Sequence, residues 1–113
     1  MLTASELREQ FASARRTIVV TVDGFGDVAL RQLLVDDSLA IAASASRFAN
    51  AQKPEEMVTF WIELLAKCIV DEKGDKVFDD QEGREILRGL RLDRLTVLGN
   101  AAVELNGMDE KKS

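Results

Sequence analysis

The chemistry this chain could perform is bounded first by what it lacks. There is no histidine and no tyrosine among its 113 residues. Without histidine, the commonest general base and the commonest metal ligand are missing. Ser-His and Cys-His nucleophile pairs are ruled out. Cys68 is the single cysteine. It lies within an apolar helical stripe, where a buried structural thiol is the better reading than a reactive one.

Three acidic or glycine-rich segments could still carry chemistry. Asp71, Asp75 and Glu82 have the spacing of positions one, five and twelve of a calcium loop. Lys73 then occupies a ligand position, and Lys76 stands where the loop needs glycine, so a polar turn before a capped helix explains the acids better. Gly24-Phe25-Gly26 has two of the three glycines of a phosphate loop. It has no Walker lysine and sits between two strands, so it reads as turn chemistry. The acid pairs Asp36-Asp37 and Asp79-Asp80 read as helix N-caps. Trp61 could anchor a partner, although its neighbours Phe60 and Leu64 favour a core position. No catalytic, cofactor-binding or metal-binding residue is assigned, and the expectation is a non-catalytic binding protein.

The elements that would position these residues follow from periodicity. Thr3-Ala4-Ser5-Glu6 has the spacing of a capping box. It predicts a first helix to about Arg15, with Leu7 and Phe11 as its apolar side. Thr17 to Val22 alternates in β-branched residues and predicts a strand. Asp23 to Asp27 makes a turn, and Val28 to Leu33 returns. Pairing Val22 with Val28 makes one hairpin face apolar. A lone hairpin is marginal in water, so helices or another subunit must cover it.

Asp36-Asp37-Ser38 should cap a second, Ala-rich helix from Leu39 to about Gln52. It reads as a tightly packed core helix, with a flat partner surface as the alternative. Pro54 suits the first turn of a third helix. There Met57, Val58, Phe60, Trp61, Ile62, Leu64, Leu65, Cys68 and Ile69 span an apolar arc of about 200° at 100° per residue. That arc is wide enough for either the centre of the fold or a partner on its second side. Asp79 or Asp80 should cap a fourth helix carrying Ile86, Leu87 and Leu90. Asp93 should cap a fifth carrying Leu95, Leu98, Ala102 and Leu105. Gly83, Gly89 and Gly99 would each cost about 1 kcal/mol if they sit in the interiors of these two helices, which leaves the boundaries of both less sharply defined. Asn106-Gly107 is a helix stop. The fold class is thus mainly α (α+β): about four to five short helices packed with one N-terminal antiparallel β-hairpin. Residues 1–107 form a single domain, and 108–113 a flexible polar tail.

Composition narrows the partners. Apolar residues make up 46 % and charged residues 31 %, which is the balance of a globular domain. The net charge of −5 argues against a nucleic-acid surface. No apolar run reaches the length of a membrane span, and the N-terminus lacks the pattern of a signal peptide. A soluble, intracellular protein binding other proteins is expected. The candidate protein-binding residues are Val20 on the hairpin, Ile41, Ala45 and Phe48 on the second helix, and Trp61 and Ile62 on the third.

Four phrases follow one another along the chain in a telling order. Arg31-Gln32-Leu33 ends the hairpin, and Val70-Asp71-Glu72-Lys73-Gly74 follows the third helix. Val77-Phe78-Asp79-Asp80 comes next, and Leu105-Asn106-Gly107 closes the last helix. In order and spacing the chain resembles the tail assembly chaperones of long, non-contractile-tailed bacteriophages (siphophages). Gln32 stands where that family usually has an acid, and Val35-Asp36-Asp37 replaces a more common Thr-Gly linker. The resemblance implies a protein of the host bacterial cytoplasm that binds the tape measure protein and keeps it soluble. It implies recruitment of tail-tube protein subunits through a longer, frameshifted form, with Glu110-Lys111-Lys112 as a codable slippery string. It also implies absence from the finished virion. A helix-binding groove and self-association into a ring or spiral, through the free edge of the Thr17–Val22 strand, would suit that role. The alternatives are a minor structural or head-tail connector protein of a phage virion and, further off, a regulatory binding module.

Overall fold

The computed structural model describes residues 1–22, 24, 26–50 and 52–108. Within them the chain is mixed α+β and mainly helical, with six helices and a three-stranded antiparallel sheet. The capping box forms as spelled: Thr3 Oγ1 accepts from the Glu6 amide at 3.2 Å, and helix α1 runs Ala4–Ala14. Strands β1 (Thr17–Val22) and β2 (Gly26–Arg31) make the N-terminal hairpin.

The register differs from the expected one. Val20, not Val22, faces Val28, and Val22 faces Gly26. The connection is only three residues long; Gly24 within it takes φ 97°, and Gly26, the first residue of β2, takes φ 88°. β2 therefore starts and ends two residues earlier than predicted. A slip of two keeps every side chain on its face, so Ile18, Val20, Val22, Val28 and Leu30 still point to the core. Asp23 and Phe25 of the turn lie outside the described residues.

The predicted Ala-rich helix is two helices, α2 (Val35–Ala40) and α3 (Ala42–Ala49). They break at Ile41, whose backbone leaves helical values (φ −109°, ψ 13°) as its side chain enters the core at 3 % exposure. Asp36 and Asp37 do not cap: Leu34 holds the N-cap position and both acids lie in the first turn. The Asp37 carboxylate is engaged elsewhere, by Lys76 at 2.9 Å.

Helix α4 (Pro54–Cys68) resolves the meaning of the wide apolar arc. Phe60, Trp61, Ile62, Leu64, Leu65, Ala66 and Cys68 are all buried, and α3, α5 (Asp80–Arg88), α6 (Leu92–Leu105) and β2 pack around it. The arc is wide because α4 is the centre of the fold. Lys67 is buried with it, and its ammonium donates to Asp80 at 3.1 and 3.2 Å at the first residue of α5.

Ile69, expected within that helix, forms instead with Val70 a short strand β3. Leu30 faces Ile69 and Ala29 faces Val70. A β-branched pair beside the open edge of β2 gains ladder hydrogen bonds that a fraying helix end would lose. Asp79 caps α5 as predicted, accepting from the Glu82 amide at 2.7 Å. Asp93 does not cap α6; Arg91 occupies that position.

Two interior glycines mark close approaches between helices. A Cβ on Gly83 would lie 2.8 Å from that of Ala66, and one on Gly99 would run into the Trp61 ring. The helix stop at Asn106-Gly107 is a Schellman motif. Gly107 takes φ 69°, the Met108 amide donates to Val103 O at 2.9 Å, and the Gly107 amide donates to Glu104 O at 3.1 Å. Met108, placed by the sequence at the start of the tail, packs half-buried against the core. Residues 109–113, including the Glu110-Lys111-Lys112 string, lie outside the described residues.

Candidate interaction surface

The predicted binding residues divide by burial. Ile41, Trp61 and Ile62 are buried in the core cluster, while Val20, Ala45 and Phe48 are half-buried against it. Phe48 stacks on Phe60 with ring centroids 4.6 Å apart. The six do not form one patch. The outward face of α3 carries Ala42, Ala43, Ser46 and Ala49, small side chains that offer little to grip. Ile62 alone reaches a groove of about 320 Å³ between α4 and α5, beside Val58, Arg84 and Arg88.

A more constructed surface lies where the two ends of the domain meet. A groove of about 340 Å³ is lined by Phe11 and Ala14 of α1, Gln32 and Leu33 after β2, Ser38 of α2, and Asn106 and Met108 after α6. Its floor is a network of hydrogen bonds between segments far apart in sequence. The Gln32 amide group donates to Leu105 O at 2.9 Å, and its Oε1 accepts from the Arg16 amide at 2.8 Å. Asn106 Oδ1 accepts from the Leu33 amide at 2.9 Å, and Asn106 Nδ2 donates to Ala102 O at 2.9 Å. The Arg15 guanidinium donates twice to Gln32 O, at 2.9 and 2.7 Å. The segment 70–74 joins through Arg31, which donates to Gly74 O at 3.4 Å and to Ala12 O at 2.8 Å. The segments 31–33, 70–74 and 105–107 thus converge.

Large apolar side chains stand open in the lining of this groove and in the residues that follow it in sequence. Phe11 is 68 % exposed, and no residue of α1 is buried. Leu34, Val35 and Leu39, which follow the groove lining in sequence, are also exposed. The sequence reading used Phe11 only as a helix face and took Leu39 as a helix start. The missed signals were the unbroken run Leu33-Leu34-Val35 and the narrowness of the Leu7/Phe11 stripe, too thin to anchor a helix against a core.

Gln32 matters because it uses both ends of its amide. A carboxylate there could accept from Arg16 but could not donate to Leu105 O. Gln32→Glu is expected to lower stability by about 1–3 kcal/mol, the cost of an unpaired acceptor facing an anion. Urea unfolding of the two proteins at neutral pH measures this, and an unchanged midpoint would show that the network is dispensable.

Cys68 sits below the same floor, fully buried, with its sulfur accepting from Asn106 Nδ2 at 3.5 Å. Burial pushes the thiol up to about 11, and the Asn106 hydrogen bond only partly opposes the shift. The native thiol should therefore resist maleimide at pH 8 while the urea-unfolded chain reacts fully. The unfolded chain releases this proton at lower pH than the folded one. Cys68 thus takes nothing from stability below the ordinary thiol range and erodes it as pH rises toward 11.

The Asp71 carboxylate is occupied by its own turn, with Oδ1 accepting from the amides of Lys73 at 2.8 Å and Asp75 at 3.1 Å. Among the described residues no helix is long and apolar enough to cross a membrane. Comparison with family models, with curated proteins and with solved structures gives no match.

Proposed function

We propose that this chain is a phage tail assembly chaperone that binds helices of the tape measure protein and keeps them soluble while tail-tube subunits are recruited. The observation that carries the reading is convergence. Three of the four phrases on which the resemblance rests, 31–33, 70–74 and 105–107, lie scattered in sequence yet contact one another, and two of them, 31–33 and 105–107, line one groove. Phe11 lines that groove and is exposed, and Leu34, Val35 and Leu39, which follow its lining residues in sequence, are exposed as well. Exposed apolar side chains such as Phe11 beside a groove can receive the apolar stripe of an amphipathic helix. Exposed apolar side chains cost solubility, and a client-binding surface gives them a use.

In this reading the protein acts without catalysis in the host cytoplasm, self-associates in a ring or spiral around its client, and leaves before the virion is complete. Co-expression with the tape measure protein of the same phage tests it. A soluble complex is expected, weakened by Phe11→Asp, which touches no core position. A tape measure protein equally insoluble with and without this chain would overturn the reading. Recovery of the chain from purified virions would instead favour the head-tail connector alternative.

A further inference from the structure

β1 is the outer strand of the sheet, and among the described residues nothing pairs with its far edge. Such edges are normally blunted by charge, proline or a bulge. Thr-Ile-Val-Val-Thr-Val has none of these. We propose that the chain forms a two-fold homodimer by antiparallel pairing of β1 with β1 of a second copy, centred on Val19.

The hairpin fixes which backbone groups are free. The Gln32 amide donates to Arg16 O at 2.9 Å, which makes Arg16 and Gln32 a hydrogen-bonded pair. Antiparallel pairs alternate. Ile18, Val20 and Val22 therefore bond to β2, and Thr17, Val19 and Thr21 turn their N–H and C=O groups to the open edge. A two-fold axis through Val19 sets Val19 against Val19 and Thr17 against Thr21. All three residues are then satisfied in both copies, with two hydrogen bonds at each of three pairs. Any other two-fold register pairs at most two of the three within the strand.

The side chains agree with that register. On the outer face, Val19 at 64 % exposure would meet its own copy, flanked by threonine pairs. On the inner face, half-buried Ile18 would lie beside half-buried Val20. No residue of the strand is charged, so two copies meet without repulsion along it. This self-complementarity is what favours a second copy over an unrelated strand. The pairing does not depend on the tail-assembly reading, and its failure would leave that reading standing.

Light scattering of the full chain after gel filtration tests the proposal. The expected mass is about 25 kDa, twice the 12.5 kDa of one chain. Val19→Lys places two ammonium groups on the axis and should give a folded monomer with unchanged circular dichroism. Oxidative cross-linking fixes the register. Val19→Cys should form a disulfide dimer, and Thr17→Cys or Thr21→Cys alone should not, whereas the Thr17→Cys/Thr21→Cys double variant should. The parent chain is the control, since its Cys68 is fully buried. A parent that stays monomeric into the high micromolar range would overturn the dimer, as would an oligomer that Val19→Lys leaves intact. A disulfide through Thr21→Cys alone would overturn the register.

Discussion

Phe60→Ala is expected to cost about 3–5 kcal/mol, the largest effect of any single truncation in this domain. Phe60 is fully buried at the centre of α4, and its ring stacks on Phe48 at 4.6 Å and 29°. Removing it opens a cavity between α3 and α4 that neither helix can close, because α4 is also held by α5, α6 and β2. A domain of this size has a net stability of roughly 5–15 kcal/mol, so the loss takes a large share. At several degrees per kcal/mol, Tm should fall by roughly 15 °C or more. Thermal unfolding followed by circular dichroism reads this directly. Phe48→Ala supplies the comparison, because Phe48 is only half-buried and should cost less. Equal costs would mean that the stacked pair, not the burial of Phe60, sets the energy.

The second large effect runs against helix propensity. Gly→Ala inside a helix normally stabilises by about 1 kcal/mol. At Gly99 the new methyl would lie 2.7 Å from Trp61 Cδ1 and Cδ2 and in contact with Cγ. Real side chains do not approach so closely, so either the indole or the whole of α6 must move. Overpacking of this kind costs about 1–3 kcal/mol, and Gly99→Ala should therefore destabilise by about 2 kcal/mol. Trp61 is the only tryptophan, so its emission should shift with the displaced ring. Gly89→Ala, at the C-cap of α5, is the control. Its Cβ would meet only Ile86 O, at an ordinary 3.4 Å, and stability should change little. If Gly99→Ala stabilised the protein instead, α6 would pack on Trp61 more loosely than the structure has it.

These two sites show why a local reading of the helices fell short. Gly83 and Gly99 blurred the boundaries of the last two helices when judged by propensity alone. In the fold they are what lets α5 and α6 reach α4. Lys67 is the converse case. A lysine between Ala66 and Cys68 looks like an interruption of the stripe, yet it reaches Asp80 across the α4–α5 contact. Trp61, a candidate partner anchor by residue type, is packed beneath α6, and its indole N–H has no hydrogen-bond partner among the described residues.

Some caps, one strand and the last stop were written locally and formed where they were written, whereas the caps expected at Asp36-Asp37 and Asp93 did not form and β2 shifted by two residues. Thr3 and Glu6, the alternation of Thr17 to Val22, Asp79 before α5, and Asn106-Gly107 after α6 each act through bonds to residues a few positions away. Neighbouring sequence is enough to specify such features. The apolar arc of α4 likewise announced its own width, though not what would fill it. Everything that joined distant segments was settled by tertiary structure. The break at Ile41, the addition of β3 to the hairpin, the burial of Lys67 and the groove over Gln32 and Asn106 all depend on contacts across tens of residues. A single sequence records which side chains are available for such contacts. Only packing decides which of them meet, because each choice is paid for by the burial of the whole core at once.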